Sequence, residues 1–438
     1  MNYLDKLNKE QREAATTIYG NLLILAGAGS GKTYTLVSRI AYMIDSGINP
    51  ENILLLTFTN KAAEEMKKRI IRDIGETGEK TTALTFHSFC ANLLRKYSSL
   101  VKIDNNFTVL DSPDSQDAIS IAKEEYFEEN KIKKTPEDFP SKKNIAAIYS
   151  YAINSCSPIS DVIDLFNFTV FKSEIIDILN KYEQYKQEHN LMDYDDLLFN
   201  TYQVLNNNEE IREHLDRKYE FISCDEYQDT NILQDKILEL LSRNCQNLAV
   251  VGDDNQSIYK FRCAEIKNIL NFHRRYRGCK VVVLNQNYRS SQEILDFANS
   301  IMTHATEGIN KNLQGQFNGE KPEWVIPYDN REEDTFIVKK ILEYKRKGIP
   351  LNEIAVLIRN ARQSFHLEVL LNNYGIPFKK FGGIKFLEKE VIKAREEKRR
   401  QCKVIGERIS TALLAPMMLQ LGVVIALIMI PAFSGMQF

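Results

Sequence analysis

The chain has 438 residues, too many for one hydrophobic core, so two or three domains are expected. Apolar residues at 43% and charged residues at 26% fit a folded, soluble body, and a net charge of -2 excludes a strongly basic chain while leaving room for a basic channel inside an acidic exterior. Seven cysteines, an odd number without a C-x-x-C pair, favour a reduced cytoplasmic protein over a disulfide framework, and the six histidines show no metal-ligand spacing.

The first residues are polar, with helical periodicity and no apolar core of a signal peptide. Apolar runs then alternate with helical stretches. Leu22–Leu25 leads into a Gly-rich turn and a helix from about Lys32; Ile53–Phe58 and Thr81–Phe86 each precede a helix. That alternation predicts a parallel sheet covered on both faces. From about 89 to 189 the chain becomes rich in Lys, Glu, Ile and Tyr, which reads as a helical insertion. Strands return at Phe221–Cys224, Leu248–Val251 and Lys280–Leu284. Further runs at Glu323–Pro327, Ile354–Ile358 and Pro377–Phe381, with helices at Glu333–Lys347 and Arg362–Asn373, predict the start of a second α/β unit.

Ala26-Gly27-Ala28-Gly29-Ser30-Gly31-Lys32-Thr33 stands between a predicted strand and a predicted helix. It follows the phosphate-loop pattern G-x-x-x-x-G-K-[ST], with Ala26 in place of the first glycine. Glycines let backbone N–H groups turn around phosphates, and a helix N-terminus adds positive potential. Lys32 would reach the β- and γ-phosphates, and the Thr33 hydroxyl would ligate Mg²⁺. Asp225-Glu226 follow the apolar FISC run. There Asp225 would hold Mg²⁺, and Glu226 would act as general base on the attacking water.

Eight segments in order then carry a family likeness: LNKEQREAA (7–15), AGAGSGKT (26–33), LTFTNKAAEEMKKR (56–69), TFHSFC (85–90), MDYDDLL (192–198), DEYQDTN (225–231), VGDDNQSIYKFRCA (251–264) and LNQNYRSSQEIL (284–295). They resemble the Q motif, motifs I to IV and the element preceding motif II of UvrD/Rep-like superfamily 1 DNA helicases, over about residues 1–390. The resemblance implies an α/β fold of RecA-like P-loop NTPase domains with parallel sheets and a helical insertion. The first such domain would comprise 1–88 and 190–275, the insertion 89–189, and a partial second domain 276–390. It implies ATP and Mg²⁺ as cofactors, single-stranded or partly duplex DNA as partner, and 3′-to-5′ unwinding in DNA repair or replication. Gln11 would read the adenine edge and Tyr288 stack on it. Gln256 and Arg289 would touch the γ-phosphate, Arg289 from the second domain. Phe58, Asn60, Lys61, Phe86, His87, Tyr259 and Phe261 would line the DNA path, the aromatics stacking bases without sequence preference. Phe261 stands where the family usually has Trp, and Cys263 where Gly is common.

Motifs V and VI of the family are not found in the sequence. An arginine of the transition-state clamp belongs to motif VI, so nucleotide binding with poor hydrolysis is expected of this chain. Residues 391–410 form a charged junction, and 411–438 an apolar helix that resembles the end of type II secretion/pilus-assembly inner-membrane proteins. Two readings stay open for that tail: an inner-membrane anchor with the body in the cytoplasm, or a foreign piece joined to a truncated motor. The competing functions are a non-catalytic, membrane-anchored nucleotide- or DNA-binding module and a fragment of a helicase–nuclease subunit.

Overall fold

The computed structural model describes residues 3–132, 136–305, 308–309 and 311–381. These fall into two compact units, the first ending at Pro322 and the second beginning at Glu323. The charged junction and apolar tail expected at 391–438 lie outside the described residues; among the described residues no helix is long and apolar enough to cross a membrane.

The strands are β1 (Leu22–Ala26), β2 (Ile53–Thr57), β3 (Thr82–Thr85), β4 (Thr108–Val109), β5 (Leu191–Met192), β6 (Phe221–Cys224), β7 (Leu248–Gly252) and β8 (Lys280–Leu284). Six of them form a parallel sheet in the order β3-β2-β6-β7-β1-β8. Parallel neighbours need crossovers, and the crossover helices cover both faces. Side chains of β1 therefore enter two cores in alternation. Leu22, Ile24 and Ala26 meet helix Lys32–Asp45 through Leu36, Ile40 and Met43. Leu23 and Leu25 face the core closed by helices Phe86–Lys96, Tyr194–Asn207 and Ile232–Leu241. An apolar run buried on both faces is what the sequence needs for a central strand.

The strand expected at Lys280–Leu284 is present as β8. It pairs with β1 from Leu22↔Lys280 to Ala26↔Leu284 and so extends the first sheet. The boundary expected at 275/276 thus falls inside the first unit. In the second unit, helices Asn330–Arg346 and Ser364–Asn373 share a small core of Val338, Ile341, Leu367, Leu371 and Ile376. The three apolar runs expected there as strands enter no ladder among the described residues, and Trp324, Ile326 and Leu357 stay exposed. A strand exists only through a neighbour that takes up its backbone hydrogen bonds, and these runs have none among the described residues.

The helical insertion has a core of its own, built by Ile119, Ile145, Ile148, Ile175 and Ile178. The parallel pair β4–β5 marks where the chain leaves and returns. Helix Phe86–Lys96, in contrast, belongs to the core beneath the sheet. A buried polar seam joins the insertion's last helix, Lys172–Glu188, to MDYDDLL. Lys186, 2% exposed, reaches Asp193 Oδ2 at 3.0 Å, Asp196 Oδ2 at 2.7 Å and the Tyr149 hydroxyl at 2.9 Å. Burial, then the Asp193 charge, holds the Asp195 and Asp196 carboxyls above the usual carboxylate range.

Removing one partner of a buried ion pair strands the others, at about 3–5 kcal/mol. Lys186→Met is expected to lose about that much stability in urea unfolding near neutral pH. The loss should shrink at about pH 5, where Asp196 can be neutralised by a proton. A loss independent of pH would show that packing, not charge, is what Lys186 supplies.

Candidate nucleotide site and nucleic-acid face

All six strands of the sheet point their carboxyl ends to one edge, where ligands of open parallel sheets bind. The phosphate loop leaves β1 there. Gly29 and Gly31 take φ of +76° and +81°, a backbone region that side chains disfavour. Ser30 braces the turn, its Oγ donating to the Gly27 carbonyl at 2.8 Å. Helix Lys32–Asp45 then starts without a side-chain cap, so its first N–H groups are left to face an anion.

Across the edge, Asp225 continues the ladder of β6, its N–H donating to the Leu56 carbonyl at 3.0 Å. Its side chain is buried, and Oδ1 has no hydrogen-bond partner. Burial, then the neighbouring Glu226 charge, pushes the Asp225 carboxyl up to about 7. Glu226 follows at φ +48°, a strained conformation that turns the chain sharply at the strand end. Its Oε2 pairs with Lys32 Nζ at 3.1 Å, which joins the acidic loop to the phosphate loop. Thr33, Asp225, Glu226, Gln256, Phe58 and Tyr259 line one cavity of about 400 Å³. A hydroxyl and a carboxylate with an unsatisfied buried oxygen are the hard donors that Mg²⁺ takes, so these residues fit the ion.

Two buried amides that the sequence reading did not single out organise the site. Gln228 donates to Glu226 Oε2 at 2.9 Å, and its Oε1 accepts the Asp253 N–H at 2.9 Å. Asn287 donates to the Ala28 carbonyl at 2.6 Å, and its Oδ1 accepts the N–H groups of Arg289 and Ser290, both at 2.8 Å. Both lie inside quoted motifs, so the signal existed without a role attached. Arg289, which the resemblance assigns to the second α/β domain, follows β8 beside β1 and lies in the compact unit that ends at Pro322. A Cβ on Gly29 would stand 2.7 Å from Arg289 Cβ, so the two loops are in close contact. Tyr288 donates its N–H to the Gly29 carbonyl at 2.9 Å and leaves its ring part-exposed. Gln11 is buried with both amide groups engaged: Nε2 donates to the Ser30 carbonyl at 2.8 Å, and Oε1 accepts the Asn8 N–H at 3.1 Å. It braces the phosphate loop, a contact the sequence did not foresee.

The expected DNA residues divide. The rings of Phe58 and Tyr259 lie 5.2 Å apart, tilted by 34°, and Phe261, 77% exposed, continues the row 5.8 Å from Tyr259. Cys263 follows at φ +63°, which explains why glycine is common at that position. Asn60 and Lys61 are exposed in the first turn of helix Asn60–Ile74, capped by Thr59. His87 packs edge-on against Tyr194 at 5.2 Å, and burial pushes its imidazole down to about 4, so it is neutral near pH 7. Phe86 is a correction. At 4% exposure it is part of the core under the sheet and offers no ring face to a base.

Residues 7–277 match the UvrD/REP helicase N-terminal domain, and residues 282–394 match the UvrD-like helicase C-terminal domain. The chain belongs to the UvrD/REP helicase family. Among curated relatives, an ATP-dependent DNA helicase PcrA of Staphylococcus epidermidis is 38% identical over 397 residues, 90% of this chain and 53% of the relative. An ATP-dependent DNA helicase PcrA of Staphylococcus aureus is 36% identical over 394 residues, 89% of this chain and 53% of the relative. The chain spans about half the length of the curated relatives it matches.

The raised Asp225 carboxyl makes a stability prediction for this family member. Its ionisation is disfavoured in the folded state, so it costs nothing below about pH 4 and its full penalty above about pH 7. In magnesium-free buffer, Asp225→Asn should raise Tm at about pH 8 and change it little at about pH 4.5. Scanning fluorimetry at the two pH values checks this; an equal shift at both would sink it.

Proposed function

We propose that this chain binds Mg-ATP at the edge built by the phosphate loop and Asp225-Glu226, and couples ATP hydrolysis to movement along single-stranded DNA as a helicase. The observation that carries the reading is the shared cavity: the nucleotide-side groups Thr33, Asp225, Glu226 and Gln256 line the same space as the exposed ring of Phe58 and the half-buried ring of Tyr259. A change at the γ-phosphate has a short route to a base-stacking surface. The 3′-to-5′ polarity rests on the family resemblance.

Thr33 and Asp225 would hold Mg²⁺, which neutralises charge developing on the phosphates. Lys32 is paired with Glu226 at 3.1 Å, and a polyphosphate is the stronger partner for a lysine. Phosphate entry therefore draws Lys32 away and leaves the Glu226 carboxylate to accept a proton from the attacking water. Arg289 and Gln256 would contact the γ-phosphate. The Tyr288 ring would stack on adenine; Gln11 would read its edge only by exchanging its Ser30 contact. Phe261 extends the stacking row, and exposed Lys61 would meet the backbone.

ATP turnover by the full chain, with and without oligo-dT, tests the proposal. Lys32→Ala should remove nucleotide binding and turnover together. Glu226→Gln should keep binding and lower turnover by about 10²–10⁴, the usual share of a general base. Phe261→Ala should weaken single-strand binding by about 1–3 kcal/mol and leave nucleotide affinity alone. Turnover indifferent to Glu226→Gln would overturn the catalytic assignment, and single-strand affinity indifferent to Phe261→Ala would overturn the DNA face.

A further inference from the structure

If Gln256 contacts the γ-phosphate, its amide must be held in place before the nucleotide arrives. Its Nε2 donates to Asp253 Oδ2 at 2.5 Å. Asp253 and Asp254 follow β7, and both are buried. Two adjacent buried carboxylates are costly without a counter-charge. Lys311 supplies it. Its side chain is 2% exposed, and Nζ ion-pairs with Oδ1 of both aspartates. Asp254 is fixed further by the Ile309 N–H, which donates to Oδ2 at 2.7 Å.

Lys311 does not line the nucleotide cavity. It stands one layer behind, on a segment that also reaches the phosphate loop: a Cβ on Gly27 would lie 2.6 Å from Leu313 Cδ2, and the Gln314 carbonyl accepts the Asn287 N–H at 2.7 Å. Asp253 is the branch point. Its carboxylate carries Gln256 and Lys311, and its N–H reaches Gln228, which holds Glu226. We propose, resting on the nucleotide reading above, that Lys311 is a positioning residue for the γ-phosphate contact. Its charge fixes the Asp253 carboxylate, which orients Gln256. The segment around 311 thereby sets how well the site tells a triphosphate from a diphosphate.

The test is calorimetric binding of a non-hydrolysable ATP analogue and of ADP to the full chain, read as the ratio of the two affinities. Lys311→Met should lower that ratio about tenfold, as loss of outer-shell partners commonly does, with ADP affinity unchanged. Lys311→Arg should restore most of it. In a Gln256→Ala background, Lys311→Met should have no further effect on the ratio. Because two uncompensated aspartates can unfold the protein, Lys311→Met with Asp254→Asn is measured in parallel; it keeps the buried net charge and should show the same fall. Equal loss of both ligands, or a fall that persists in the Gln256→Ala background, would overturn the role of Lys311. If Gln256→Ala alone leaves the ratio unchanged, the γ-phosphate reading itself fails, and the proposal with it. If Gln256→Ala lowers the ratio and no Lys311 variant does, only the proposal fails.

Discussion

A parallel strand buried on both faces has one place to present chemistry, its carboxyl end, and in this protein β1 is that strand. β8 pairs along the whole length of β1 and β7 along Leu22–Leu25, and all residues of β1 are buried. The phosphate loop, the acidic pair after β6, the Asp253-Asp254 pair after β7 and the Tyr288-Arg289 pair beyond β8 therefore leave the sheet at the same edge. No long-range steering has to be supplied by loops. What remains is to hold the exits against one another, and buried amides do that: Gln228 ties the β6 exit to the β7 exit, and Asn287 ties the β8 exit to the β1 exit.

That division explains what could be read in advance. Apolar runs at Leu22–Leu25, Ile53–Phe58 and Phe221–Cys224 announce central strands because nothing else needs such density over so short a span. The glycines, Lys32 and Asp225-Glu226 announce phosphate chemistry because few other tasks need that set. Partnership is another matter. The run at Lys280–Leu284 has the composition of a strand, but nothing in it says which sheet it will join, so its place beside β1 was not legible. Phe86 and Phe261 are the same residue type, one a core side chain and the other an exposed ring, because stacking and packing ask the same thing of an aromatic. Gln228, Asn287 and Lys311 carry no periodicity at all; their roles exist only once distant segments meet.

The insertion illustrates a different economy. Its core is built from its own isoleucines, yet the seam to the body around the large sheet carries a buried polar cluster, with Lys186 among Asp193, Asp196 and Tyr149. An apolar seam would bind as firmly in several registers, whereas a charged one is satisfied in a single arrangement. The same seam touches the acidic loop's continuation: Asn154 of the insertion accepts from Asn231 at 2.6 Å and donates to Asp195 at 2.6 Å. A helical body that looks separate is thus registered against the segment six residues beyond Asp225.

The order of strands also bears on how the protein is made. β1 is synthesised before the other strands but lies between β7 and β8, whose residues begin at 248 and 280. At about 5–20 residues per second, translation takes on the order of tens of seconds to reach them. For that time an apolar strand that is already out of the ribosome has both edges unsatisfied, which is the condition that favours mispairing and recruits chaperones. The Gly-rich loop that follows β1 therefore emerges well before the strands that flank it in the sheet.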